Sequence, residues 1–210
     1  MIAAMLSLTI FALTLQPVET SAMPVRPAPG ETPVPDMIVE EDIVPVRLTT
    51  EMGDIVIHLD RLRAPVTTNN FLAYLEKGWW DGQPFYRAMP WGDGGLIQGG
   101  VRDGNKLLPP IAHESTAETG LSNKRGAIVM ANGGPGTARN DFFILTVDIE
   151  AFDSKEGQPG FAPFGMVVEG MDVVEAILAA PVDPNMGAGP MKGQMIAKPV
   201  KILDAVRITD

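Results

Sequence analysis

Apolar runs in this chain are short, and nearly every one is bounded by Gly, Pro, Asn or Asp. Those residues break helices and make turns, so the pattern leaves little room for long helices and favours many brief strands. The 22 glycines and 19 prolines fit that role, and together they stay below the fraction that marks a low-complexity segment. No internal repeat points to a solenoid or a propeller.

The first folded stretch alternates with period two. Val46 and Leu48 alternate with Arg47 and Thr49, and Ile55, Ile57 and Leu59 with Val56 and His58, around Glu51-Met52-Gly53-Asp54. This predicts a hairpin. Ala64-Pro65 then opens a helical spacing of Phe71, Leu72 and Leu75 that stops at Gly78. Further strands are predicted at 96–98, 127–130, 142–147, 164–168 and 200–208. A second helix is predicted at 171–179, with Val174, Ile177 and Leu178 on one face and Asp172 at the N-terminal end. Two helices among many short strands suggest a closed β-barrel capped at its ends. With 45% hydrophobic residues over 210 positions, one core and one domain are expected.

Ahead of that domain, residues 2–15 form an apolar run too short to span a bilayer, and Thr20-Ser21-Ala22 supplies the small residues of a cleavage site. Residues 1–22 are therefore expected to be a secretory signal, although no Lys or Arg precedes the run. Residues 23–42, with prolines at 24, 27, 29, 33 and 35, are expected to be a flexible linker, and 43–210 the folded domain.

Several chemistries are set aside by composition. A formal charge of −10 argues against nucleic acid as a partner, because phosphate binding relies on Lys and Arg. With no cysteine, disulfides, thiol nucleophiles and thiolate-zinc sites are excluded. His58 and His113 are the two histidines and lack ligand spacing, so no metal is expected. Met186, Met191 and Met195 are taken as a flexible loop rather than a copper site, and Gly133-Gly134-Pro135-Gly136 as a tight turn rather than a phosphate cradle.

The distinctive pattern is an ordered set of segments: Phe85-Tyr86-Arg87, Ile97-Gln98-Gly99-Gly100, Met130-Ala131-Asn132, Phe142-Phe143-Ile144 and Phe161-Ala162-Pro163-Phe164-Gly165. In this order they resemble the cyclophilin family of peptidyl-prolyl cis-trans isomerases, over nearly everything from Val46 to Ile208. The resemblance implies a mainly β fold, a closed eight-stranded antiparallel barrel capped by two α-helices. It also implies isomerisation of X-Pro bonds with no cofactor. Arg87 and Gln98 match the catalytic pair. Phe85, Leu96, Ala131, Asn132, Asp141, Phe143, Phe152 and Phe161 match substrate-binding positions, with Phe143 as the pocket floor. On residue pattern alone, Arg87 reads first as a surface strand residue in an ion pair, and the phenylalanines equally as core.

Departures from the family pattern carry expectations of their own. About three extra residues lie at 90–95, where the usual pocket phenylalanine has no counterpart; Gly95 falls at its position, and Trp91 is a candidate to fill the gap. Asp141 stands in place of a glutamine and puts a negative charge near Arg87. Ala151 replaces a tryptophan that contacts cyclosporin, so poor cyclosporin binding is expected. Residues 154–160 form an extra loop, and Phe161 replaces a His or Tyr. The expected partners are proline-containing polypeptides, without nucleic acid and without a membrane span once the signal is removed. The expected state is a monomer in the periplasm. The rival expectation is a cyclophilin-like module that binds proline-containing chains, or acts as a chaperone, with weak catalysis.

Overall fold

A computed structural model of the protein describes residues 42–209. The signal and all but the last residue of the linker assigned above lie outside that range. The predicted hairpin is present as β1 (Ile43–Thr50) and β2 (Gly53–Asp60), antiparallel with Val46 opposite Ile57. Its alternate residues Val44, Val46, Leu48, Ile55, Ile57 and Leu59 are fully buried, as period two requires of a half-buried strand pair.

The remaining elements are α1 (Pro65–Glu76), β3 (Pro84–Trp91), β4 (Gly94–Gly99), α2 (Thr116–Thr119), β5 (Ala127–Met130), β6 (Phe142–Leu145), β7 (Ala162–Glu169), α3 (Met171–Leu178), β8 (Val182–Asp183) and β9 (Met195–Arg207). Eight strands close in the order β1-β2-β7-β5-β6-β4-β3-β9, and β9 pairs back onto β1. The two-residue β8 lies outside this ring and pairs with β9. All of the pairings are antiparallel, and closure leaves no long unpaired edge. Among the described residues, no helix is long and apolar enough to cross a membrane.

The expected eight-stranded barrel is thus present, with a third helix added to the expected two. That helix, α2, has four residues, too few to show an apolar period. Its sequence signal is the capping box Ser115-Thr116-Ala117-Glu118, where the Glu118 carboxylate accepts from the Ser115 N–H at 2.8 Å. Strand β9 begins at Met195 rather than at 200, because Pro199 hides the continuation. Met195 accordingly belongs to a strand and not to the loop assigned from sequence. Gly170 joins β7 to α3 at φ +84, and a Cβ there would overlap the Asp54 carbonyl oxygen, so only glycine fits the junction.

The barrel interior is filled by aromatics. Phe71 of α1 stacks on Trp80 with ring centroids 4.7 Å apart, Trp80 meets Phe142 edge-on at 5.3 Å, and Phe142 meets Phe85 at 5.8 Å. The Trp80 indole N–H donates to the Phe71 carbonyl at 3.1 Å, so the ring is buried with its one polar atom satisfied. A Trp80→Ala substitution is expected to cost about 3–5 kcal/mol of stability in reversible denaturant unfolding.

Candidate active site

The site arises from the same alternation that fills the core. In β6, Phe142 and Ile144 join the interior, whereas Phe143 and Leu145 belong to a second apolar cluster with Leu96, Ala127 and Val129. Beside that cluster lies a cavity of about 440 Å³. Leu96, Phe143, Phe152 and Phe161 form its apolar wall; Arg87, Gln98, Asn132, Asn140 and Asp141 supply polar groups. The Phe143 ring lies 5.4 Å from Phe161 and 5.8 Å from Phe152, and Phe152 lies 4.9 Å from Phe161. A backbone bond from Phe161 N–H to the Phe152 carbonyl (2.9 Å) closes the loop at 154–160 and holds those two rings together.

Of the residues singled out from sequence, Arg87, Leu96, Gln98, Ala131, Asn132, Asp141, Phe143, Phe152 and Phe161 all line the cavity. Phe85 does not. The pairing of β3 with β4 runs Phe85 opposite Gly99 and then Arg87 opposite Gln98, so one extra residue, Tyr86, forms a bulge. In a regular strand residues 85 and 87 would share a face; the bulge sends Phe85 into the core and Arg87 to the cavity.

Arg87 is held by neutral acceptors. Its Nη1 donates to Gln98 Oε1 at 2.7 Å, its Nε and Nη2 both donate to Gln194 Oε1 at 2.8 and 2.7 Å, and Nη2 also lies 3.2 Å from the Met89 sulfur. Among the described residues, no carboxylate is at ion-pair distance from it. Burial draws the guanidinium pKa below its ordinary value. Those contacts leave one Nη1 hydrogen of the five-donor fork uncommitted.

Sequence reasoning did not find Gln194. It reaches Arg87 because β9 bulges: Val200 pairs with Phe85 and Met195 with Arg87, which places residue 194 beside the guanidinium. A Gln194 side chain that also donates to the Pro190 carbonyl (3.0 Å) ties in the turn carrying Met191, another cavity residue. Long-range register is what brings it there, and no local motif announces it.

The structure also places Trp91, the residues at 90–95 and Asp141. Trp91 does not fill the gap left by the usual phenylalanine: it is 46% exposed and packs 6.1 Å from Phe152, while Met89 lines the cavity. The extra residues at 90–95 are absorbed in the extended β3–β4 hairpin. Gly95 is tied to that hairpin, since a Cβ there would overlap the Met89 carbonyl oxygen. Asp141 does not pair with Arg87. Its carboxylate lies 3.8 Å from Arg102, whose guanidinium stacks 4.5 Å over the Tyr86 ring.

His58 is exposed on β2, and the His113 ring lies 3.0 Å from the Pro159 carbonyl oxygen, away from the cavity. Ala151 is exposed in the turn Glu150–Phe152 and does not line the cavity.

A closed antiparallel barrel thus carries a guanidinium beside an aromatic pocket on its outer face. Comparisons with known proteins give the family. Residues 45–206 match the family model for cyclophilin-type peptidyl-prolyl cis-trans isomerases. The chain is 34% identical over 163 residues to a peptidyl-prolyl cis-trans isomerase of Acinetobacter baylyi, covering 75% of this chain and 82% of that one. It is 38% identical over 141 residues to peptidyl-prolyl cis-trans isomerase B of Escherichia coli, covering 63% and 82%. A crystal structure of a cyclophilin-type isomerase from Cryptosporidium parvum shares the fold with a TM-score of 0.64 at 22% identity, covering 80% of this chain and 99% of that one. The chain belongs to the cyclophilin-type peptidyl-prolyl cis-trans isomerases.

Both tyrosines of the chain are shielded, and burial is the first cause of the upward shift of each phenol; at Tyr86 the Asp141 charge adds to it. Alkaline titration of the native protein is therefore expected to show little phenolate at about pH 10, the midpoint of a free phenol. A native midpoint at that value would contradict the shielding of both phenols.

Proposed function

We propose that this isomerase acts on X-Pro bonds of exported polypeptides and so assists their folding, with Arg87 as the donor and Gln98 as its support. An amide resists rotation by about 18–20 kcal/mol because the nitrogen lone pair is conjugated with the carbonyl. Twisting the bond frees that lone pair, so the imide nitrogen becomes a hydrogen-bond acceptor only near the transition state. A donor aimed at it is selective for that state and lowers the barrier without any nucleophile.

The observation that carries this assignment is the company Arg87 keeps. A guanidinium held by two amide oxygens and a thioether, on a cavity wall shared with Phe143, keeps its full charge available to a ligand. A carboxylate partner would have drawn that charge away. Phe143, Phe152, Phe161 and Leu96 would grip the proline ring, and Ala131 and Asn132 would hold substrate backbone. Asp141 enters this cavity as a charge paired with Arg102.

Isomerisation of a short proline peptide measures the donor role. Arg87→Ala is expected to lower kcat/KM by about a hundredfold, two factors of ten at 1.4 kcal/mol each. Wild-type kcat/KM in that variant would refute it. No acceleration by the unaltered protein on several peptides would favour a proline-binding module instead.

Export is supported by the apolar run at 2–15, the small residues Thr20-Ser21-Ala22 and the proline-rich stretch that follows. The periplasm is the proposed compartment. Expressed in a host with two membranes, the mature chain is expected in the periplasmic fraction with an N-terminus just after Ala22. An intact Met1 in the cytoplasmic fraction would overturn this.

A further inference from the structure

Gln194 meets Arg87 on the edge of the guanidinium that Gln98 does not reach. Its Oε1 accepts from Nε at 2.8 Å and from Nη2 at 2.7 Å, whereas Gln98 Oε1 accepts from Nη1 at 2.7 Å. A contact at Nη1 alone would leave the planar group free to swing about that bond. A second oxygen on the Nε edge stops the swing, and the remaining Nη1 hydrogen then has one direction in which to point.

The amide that supplies this oxygen is itself oriented, because Gln194 Nε2 donates to the Pro190 carbonyl at 3.0 Å. Turned over, the amide would set its NH2 against the Arg87 N–H groups and its oxygen against the Pro190 carbonyl, donor facing donor and acceptor facing acceptor. Only one orientation satisfies both neighbours. The backbone adds to the constraint. The Ala88 N–H donates to the Gln194 carbonyl at 2.9 Å, Met195 pairs with Arg87, and the Gly193 N–H closes the turn on the Met186 carbonyl at 2.8 Å.

We propose that Gln194 is a positioning residue for the isomerisation: through a neutral oxygen it fixes the Nε edge of the Arg87 fork, so that the free Nη1 hydrogen is aimed before substrate arrives. This role rests on Arg87 being the donor to the twisted bond. An arginine side chain has many rotamers, and a donor that must be ordered during the reaction loses in entropy part of what its hydrogen bond contributes. Ordering it in the resting protein removes that loss from the barrier. A neutral acceptor does so without bringing a charge that competes with the substrate for the guanidinium.

A purely structural role would be to anchor the turn that carries Met191, a cavity residue. The two roles separate kinetically. Loss of the turn would loosen one wall of the cavity and raise KM, whatever side chain stands at position 87. Loss of positioning lowers kcat, and does so only through Arg87.

The test uses the full chain, a proline peptide and the variants Gln194→Met, Gln194→Glu and Arg87→Ala. Gln194→Met keeps the length of the side chain and removes its hydrogen bonds; it is expected to lower kcat about tenfold with KM within about twofold. In the Arg87→Ala background the same substitution is expected to lower kcat by less than about twofold, because nothing is left to position. Gln194→Glu keeps size and an acceptor for Arg87 but brings a charge, and at neutral pH it is expected to lose kcat about tenfold as well. It disturbs folding least and carries the kinetic test if Gln194→Met does not fold. Solvent exchange of the Arg87 Nε–H, followed by NMR, reports the positioning without reference to activity: slow exchange is expected in the wild type and in Gln194→Glu, and roughly tenfold faster exchange in Gln194→Met. Wild-type kcat in either Gln194 variant, a loss confined to KM, the same loss of kcat persisting without Arg87, or unchanged exchange in Gln194→Met would each overturn the proposal. Wild-type kcat in Arg87→Ala would remove the donor assignment and this role with it. Activity lost in Arg87→Ala but kept in both Gln194 variants would remove this role alone.

Discussion

In β6, Phe142 faces the barrel interior and Phe143, its neighbour, faces the cavity. The two-residue period of a strand makes these roles inseparable: the side chain that packs on Trp80 and Phe85 fixes the one that floors the pocket. The same holds for Ile97 between Leu96 and Gln98 on β4. A filled, closed interior thus sets the positions of the outer side chains, because a slip of one residue in register would exchange core for site. The cavity is precise to the extent that the core is.

Two interruptions of that regularity supply what alternation cannot. The bulge at Tyr86 separates Phe85 from Arg87 by one face, and the longer bulge in β9 between Met195 and Val200 delivers Gln194 to the guanidinium. Each breaks a ladder locally and is tolerated because the flanking residues are anchored, Phe85 in the aromatic interior and Ile196 and Val200 in the same core. Arg87 is consequently gripped from two strands, by Gln98 on β4 and by Gln194 just before β9. Three segments complete the wall: the end of β3 carrying Met89, the turn carrying Met191, and the segment closed by Phe152 and Phe161.

Much of this was legible in the sequence, for physical reasons that also explain the rest. The β1–β2 hairpin, α1 and α3 announce themselves by period, and β5 by a run of Ala127 to Met130 between Gly126 and Asn132. The resemblance pointed to nine residues that line one cavity, six of them inside the ordered motifs. Phe85 was misplaced because a bulge leaves no local mark: Phe85-Tyr86-Arg87 reads as regular strand, and only pairing with Gly99 and Gln98 reveals the extra residue. Gln194 was missed because it lies 107 positions from Arg87 and meets it through register alone. Met89 was overlooked for Trp91 because exposure at a hairpin tip cannot be read from residue type.

The charge arrangement fits what the proposed donor would have to do. In that role Arg87 would remain cationic in a half-buried site and keep a hydrogen free for an acceptor that exists only when the bond is twisted. Amide oxygens meet both needs, since they satisfy the fork without neutralising it. The carboxylate on the same cavity, Asp141, is met by Arg102 rather than by Arg87. An acidic group directly on Arg87 would satisfy the guanidinium before any substrate arrived, and would leave the proposed donor less charge to offer a twisted bond.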